Sequence, residues 1–111
     1  MLLGILDNLS RAESLLNNLA EADFDLENVS VICADVNQRD RVAKDLGPLK
    51  GTTPGKVSER LIQSGVPQKE AERCQEAVQN NKVLVVMDIS PELNQAAEEM
   101  FRDHSAQIVK G

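Results

Sequence analysis

The sequence predicts an α/β fold class, an α+β sandwich of the ferredoxin-like βαβ-(helical insertion)-βαβ kind. Short apolar segments at 1–6, 28–34, 83–87 and 107–109 read as strands. Amphipathic helical patterns join the first strand to the second and the third to the fourth. Between them, the stretch from about 37 to 80 carries helical patterns in place of the usual hairpin. The expected strand order is 4-1-3-2. The insertion is also long enough for a crossover, so the alternative is a small parallel α/β sheet of order 2-1-3-4. At 111 residues the chain fits a single domain, 1–111, with the insertion inside it.

Met1–Leu6 is a short apolar run, better suited to a buried strand than to a helix. Asp7-Asn8 breaks it. Ser10-Arg11-Ala12-Glu13 has the form of a capping box, in which hydroxyl and carboxylate each satisfy a free amide. Ala12, Leu15, Leu16 and Leu19 then share one helical face, giving a helix from about Arg11 to Ala22. Val29, Val31 and Cys33 alternate with Ser30, Ile32 and Ala34, the period of a strand.

The insertion begins with Asn37-Gln38-Arg39-Asp40, which opens a helix carrying Val42, Ala43 and Leu46 and closing at Gly47-Pro48. Residues 47–55 form a loop rich in Gly, Pro and Thr. Val57, Leu61 and Ile62 indicate a short helix ending at Ser64-Gly65. Pro67 suits the first position of the next helix, whose inner stripe is Ala71, Cys74 and Val78. Asn80-Asn81 ends that helix. Val83–Met87 is apolar on both faces, hence a central strand. After Ser90-Pro91-Glu92, Leu93, Ala96, Ala97, Met100 and Phe101 mark the inner face of the last helix. Gln107–Val109 closes the sheet.

Composition narrows the function classes. Eighteen acids against twelve bases give a net charge of −6, a poor start for neutralising phosphates, so no nucleic-acid partner is expected. Two Phe and no Tyr or Trp leave no stacking platform for single strands. The longest unbroken apolar run, Val83–Met87, is far short of a membrane span, so no membrane partner is expected either. Met1–Leu6 lacks a basic stretch and runs directly into Asp7, unlike a secretory signal. Cys33 and Cys74, 41 positions apart, suit a reduced, cytoplasmic protein.

Several phrases resemble the YflT-like heat-induced general stress protein family of bacteria. They are the Ala-x-x-x-Leu pattern leading to Ala22-Asp23-Phe24, Val29-Ser30-Val31-Ile32, the run Ser64-Gly65-Val66-Pro67-Gln68-Lys69-Glu70-Ala71, Val83-Leu84-Val85-Val86, and a terminal helix before Ser105-Ala106. The likeness spans nearly the whole chain. Asp23 stands where such proteins commonly show Gly, and the polar loop from Gly47 to Lys56 replaces a Gly/Ala-rich stretch. The resemblance implies a stress-associated context and supplies no catalytic residues.

Candidate chemistry is sparse. Gly51-Thr52-Thr53-Pro54-Gly55-Lys56 has the look of a phosphate loop. It has three residues between its glycines, however, Val57 after the lysine, and Pro54 where an amide donor is needed. A surface loop is the plain reading. An anion or small-ligand site formed by Gly51, Thr52, Thr53, Gly55 and Lys56 is the functional one. Cys33 and Cys74 fall on apolar faces and read as core. The single histidine, His104, reads as the end of the last helix. With two scattered Cys and one His, no metal set and no catalytic residue is assigned, and no cofactor is expected. Asp7, Asp35 and Asp88 each follow a strand, where Asp commonly serves the turn. In the 4-1-3-2 order, Asp7 and Asp35 lie at one sheet end and Asp88 at the other.

The expected function is that of a non-enzymatic, cytoplasmic, stress-associated regulatory or interaction module. The alternative is a small-ligand or anion sensor at the 51–56 loop. The central strands are apolar on both faces, and the insertion's stripes are thin. A homodimer is therefore expected to cover the part of the second sheet face that the insertion leaves bare.

Overall fold

A computed structural model of the chain describes residues 1–34 and 53–109. Four strands, β1 (Leu2–Leu6), β2 (Val29–Ile32), β3 (Val83–Met87) and β4 (Gln107–Val109), form one sheet of order β2-β3-β1-β4. Every pairing is antiparallel, with Leu2 opposite Met87, Val29 opposite Met87 and Gly4 opposite Ile108. The parallel alternative of order 2-1-3-4 is therefore incorrect. Because β2 and β3 are antiparallel neighbours, β3 begins at the sheet end where β2 finishes.

Four α-helices accompany the sheet among the described residues: α1 (Leu9–Glu21), α2 (Val57–Gln63), α3 (Gln68–Gln79) and α4 (Pro91–Asp103). Helix α1 begins two residues before the expected start. Asn8, an equally good cap, takes the place of Ser10: its Oδ1 accepts the Arg11 amide at 3.0 Å. The earlier start lets Leu9 pack partly against the core. The inner stripe of Ala12, Leu15, Leu16 and Leu19 is fully buried. Pro67 precedes α3 as its cap, not as its first residue, and its carbonyl accepts the Ala71 amide.

The pleat divides the core in two. Leu2 and Leu6 of β1, Val29 and Val31 of β2, and Val83, Val85 and Met87 of β3 face α1 and α4. Leu3, Ile5, Ile32, Leu84 and Val86 face the other way, against Val57, Leu61, Val66, Ala71, Cys74, Ala77 and Val78 of the α2–α3 segment. The second sheet face is thus buried by the chain's own helices, and the vacancy from which a homodimer was expected is filled. The expected helix from Asn37 to Leu46 and the loop to Thr52 lie outside the described residues.

Close approach on the first face depends on Gly4. A Cβ at this position would lie 2.5 Å from Cδ2 of Phe101, so the bare strand backbone makes room for the ring. The helix ends share one device. Asp23, Gly65, Asn81 and Ser105 adopt positive φ of 66, 97, 65 and 62° just past α1, α2, α3 and α4. The next amide in each case reaches back to the last turn: Phe24 to Leu19, Val66 to Leu61, Lys82 to Ala77 and Ala106 to Phe101, each at 3.0 Å. At Asp23 the left-handed cap is filled by a residue type that tolerates it.

Candidate functional site: an acid-rimmed groove

The loop singled out in the sequence is bound into the fold at its end. Gly51 and Thr52 lie outside the described residues. Thr53 precedes a short 3-10 turn, Pro54–Lys56, that leads into α2. Gln75 of α3 secures this turn with both ends of its amide. Its Nε2 donates to the Pro54 carbonyl at 2.7 Å, and its Oε1 accepts the Ser58 amide at 3.0 Å. The Ser58 amide is one of the free donors an anion would use at the start of α2, and it is engaged within the chain. The Lys56 ammonium sits 3.4 Å from the Glu59 carboxylate, both exposed. Gly55 has open space around it.

The other candidates are accounted for by packing. Cys33 and Cys74 are buried and not joined in a disulfide, on opposite faces of the sheet. Burial pushes the Cys74 thiol up to about 11, away from the thiolate a nucleophile needs. His104 ends α4 as expected, and its Nε2 lies 2.6 Å from Nδ2 of Asn18, joining α4 to α1. The register places Asp7, just past Leu6, beside Val83, and Asp88, just past Met87, beside Leu2, so these two carboxyl groups sit at opposite sheet ends. Asp35 lies outside the described residues. Among the described residues, no three His, Cys, Asp or Glu side chains converge in a way that could hold a metal ion.

A concave site does form at the sheet end where β3 finishes. Two connections wall it: Asp23, Phe24, Asp25 and Asn28 between α1 and β2, and Asp88, Ile89 and Ser90 between β3 and α4. Met87 and Leu93 complete a groove of about 570 Å³. Backbone bonds fix its walls. The Asp88 amide donates to the Asn28 carbonyl at 2.9 Å, carrying the β2–β3 ladder one step past the strands. The Asp25 carboxylate accepts the Glu27 amide at 2.9 Å and caps the short turn Leu26–Asn28. Phe24 and Ile89 are half-buried against the core below.

Leu93 and Ala96 are placed on the inner face of the last helix by their spacing, and both are exposed; Leu93 is the large one. Its i, i+4 and i+8 spacing with Ala97 and Phe101 predicts a core position, yet it is 50% exposed while Ala97 and Phe101 are fully buried. Leu93, in the first turn of α4, lines the groove instead of joining the core. Ile62, placed on the inner side of α2, is likewise exposed at 45%. Among the described residues, the groove lining includes Asp23, Asp25 and Asp88 but no Lys or Arg. Glu92 stands in the first turn of α4, where a carboxylate complements the positive helix end.

Compared with known proteins, the chain matches no family model, no curated protein and no solved structure. No helix among the described residues is long and apolar enough to cross a membrane.

Proposed function

We propose that this protein is a binding module with no chemical step of its own, and that its working surface is the groove at the β3 end of the sheet. The observation that carries this reading is Leu93: a large apolar side chain half in solvent, above half-buried Phe24 and Ile89, in a concavity edged by polar groups. Exposed apolar surface of that kind, ringed by polar residues, is the usual form of a protein-binding site. Burial of both thiols and the engagement of His104 with Asn18 support the non-enzymatic part. The order β4-β1-β3-β2, with α1 and α4 on one face, supports a ferredoxin-like framework in which the α2–α3 segment belongs to an insertion. A stress-associated role is proposed on the YflT-like resemblance alone, and a cytoplasmic location on the two widely spaced cysteines.

A thermal-shift screen against nucleotides, metabolites and inorganic anions tests the reading. A binding module of this type is expected to show no stabilisation by small molecules. Saturating stabilisation by one of them, abolished by Lys56→Ala and untouched by Leu93→Ala, would establish the sensor in place of the module. Stabilisation that Leu93→Ala removes would place a small ligand in the groove.

A further inference from the structure

Resting on the groove as the binding surface, we infer that its partner is a cationic amphipathic segment of another protein, a peptide presenting Lys or Arg around a Leu, Ile or Met anchor. Two features of the same concavity select it. Part of the lining is apolar: Phe24, Ile89 and Leu93 offer a seat for one branched side chain. The rim carries Asp23, Asp25 and Asp88, and among the described residues no basic side chain joins the lining to offset them. An opposite-charge partner gains at every one of these positions, and a like-charged one loses.

Other occupants fit less well. A second copy of the chain brings a net charge of −6, and a two-fold contact at the groove would set Asp23, Asp25 and Asp88 against their own copies. Nucleic acid and anionic membrane surfaces are repelled for the same reason. A small polyamine satisfies the rim but leaves Leu93 uncovered. A peptide with basic residues around one apolar anchor satisfies both, in the manner of a helix or extended segment lying in an apolar groove.

The test uses the whole chain and two synthetic probes. One is an amphipathic peptide with Leu and Lys at helical spacing; the other is the same peptide with Glu at every Lys. Amide-resolved NMR locates the binding and fluorescence anisotropy measures affinity. The Lys probe is expected to move the amide signals of Asp25, Asp88, Ile89 and Leu93. Leu93→Ala and Asp88→Asn should each weaken it about tenfold, near 1.4 kcal/mol. Leu93 is half exposed, so its truncation leaves the fold intact, and the dispersion of the variant's spectrum verifies this. Added salt should weaken the complex.

Equal or tighter binding of the Glu probe in the groove would overturn the cationic class while leaving the groove as a docking surface. If neither probe moves the groove signals, both the partner class and the groove as a protein-binding surface are refuted. Undiminished binding by Leu93→Ala would remove the apolar anchor and with it the amphipathic partner. A two-chain mass in light scattering that Leu93→Ala reduces to one would assign the groove to a second copy instead.

Discussion

The two faces of the sheet are closed by different means. On the first face, α1 and α4 bring large side chains: Leu15, Leu16, Leu19 and Phe101. On the second, the α2–α3 segment brings mostly small ones: Ala71, Cys74, Ala77, Val57, Val66 and Val78, with Leu61 the largest. Both faces are nonetheless buried, with Leu84 and Val86 as inaccessible as Val85. Coverage of a sheet depends on how much solvent a helix excludes, and a helix of small residues excludes water by letting its backbone approach. Counting apolar volume on the stripe underestimates what such a helix covers.

The largest effects should come from truncating the anchor on each face. Phe101→Ala is expected to cost about 3–5 kcal/mol and Leu61→Ala about 2–5 kcal/mol, read from denaturant melts. The two faces share the same strands: β3 alone gives Val83, Val85 and Met87 to one and Leu84 and Val86 to the other. Both variants should therefore still unfold in a single transition. An early, separate loss of helical signal in Leu61→Ala would show that the second face is an independent unit.

Gly4 sharpens the contrast, because only the first face needs a strand glycine beneath a ring. Gly4→Ala places a methyl 2.5 Å from the Phe101 ring, an overpacking expected to cost about 1–3 kcal/mol. The ring is the cause, so the penalty should shrink when Phe101→Leu is also present. Additive costs in that double-mutant cycle would refute the steric account.

How far the sequence reveals this molecule follows from the same contrast. The described strands and helices are legible because periodicity records which side of an element is apolar. The stripe of α1 and the two-sided apolarity of β3 are examples. What covers the second face is not legible, because Ala71, Cys74 and Ala77 look too slight to form a core and are fully or almost fully buried. The groove is hidden for the opposite reason. Leu93 keeps the core period of α4, and no local pattern records that it lines a concavity. Asp88 reads as a turn residue, and Asp25 caps a turn; that both also edge one concavity depends on β2 lying beside β3.

Cys74 gives a chemical probe of the second face. Its thiol titrates near 9.0 when unfolded and is raised to about 11 in the fold by burial. Between these values the unfolded chain has released a proton that the folded chain keeps, so stability falls as pH rises through this window. Below pH 9 the contribution is constant. The slope should not exceed about 1.4 kcal/mol per pH unit. Stability measured across this range in wild type and in Cys74→Ala isolates the effect: the variant should be less stable near neutrality yet lose less on going alkaline. Parallel curves would mean that the Cys74 thiol is not shielded and that the second face is open to water.

The smallest effects lie at the helix ends, where each face pairs one left-handed cap with another. On the first face these are Asp23 and Ser105; on the second, Gly65 and Asn81. A residue with a Cβ is disfavoured in the left-handed region by roughly 1–2 kcal/mol, and Asn and Asp recover part of this through local hydrogen bonds. Ser105 has the least such compensation, so Ser105→Gly should relieve the most strain. Glycine also enlarges the unfolded ensemble, which costs about 0.4–1 kcal/mol. The net gain is therefore expected to be about 0.5 kcal/mol for Ser105→Gly, smaller for Asp23→Gly and near zero for Asn81→Gly. Gly65→Ala should move the other way, losing about 1 kcal/mol, because φ of 97° is strained for any side chain even though open space surrounds the position. Thermal melts of the four variants order them. A loss on Ser105→Gly would mean that the serine is held at its φ of 62° by something beyond the cap itself, and that the first face depends on this corner more than its backbone bonds indicate.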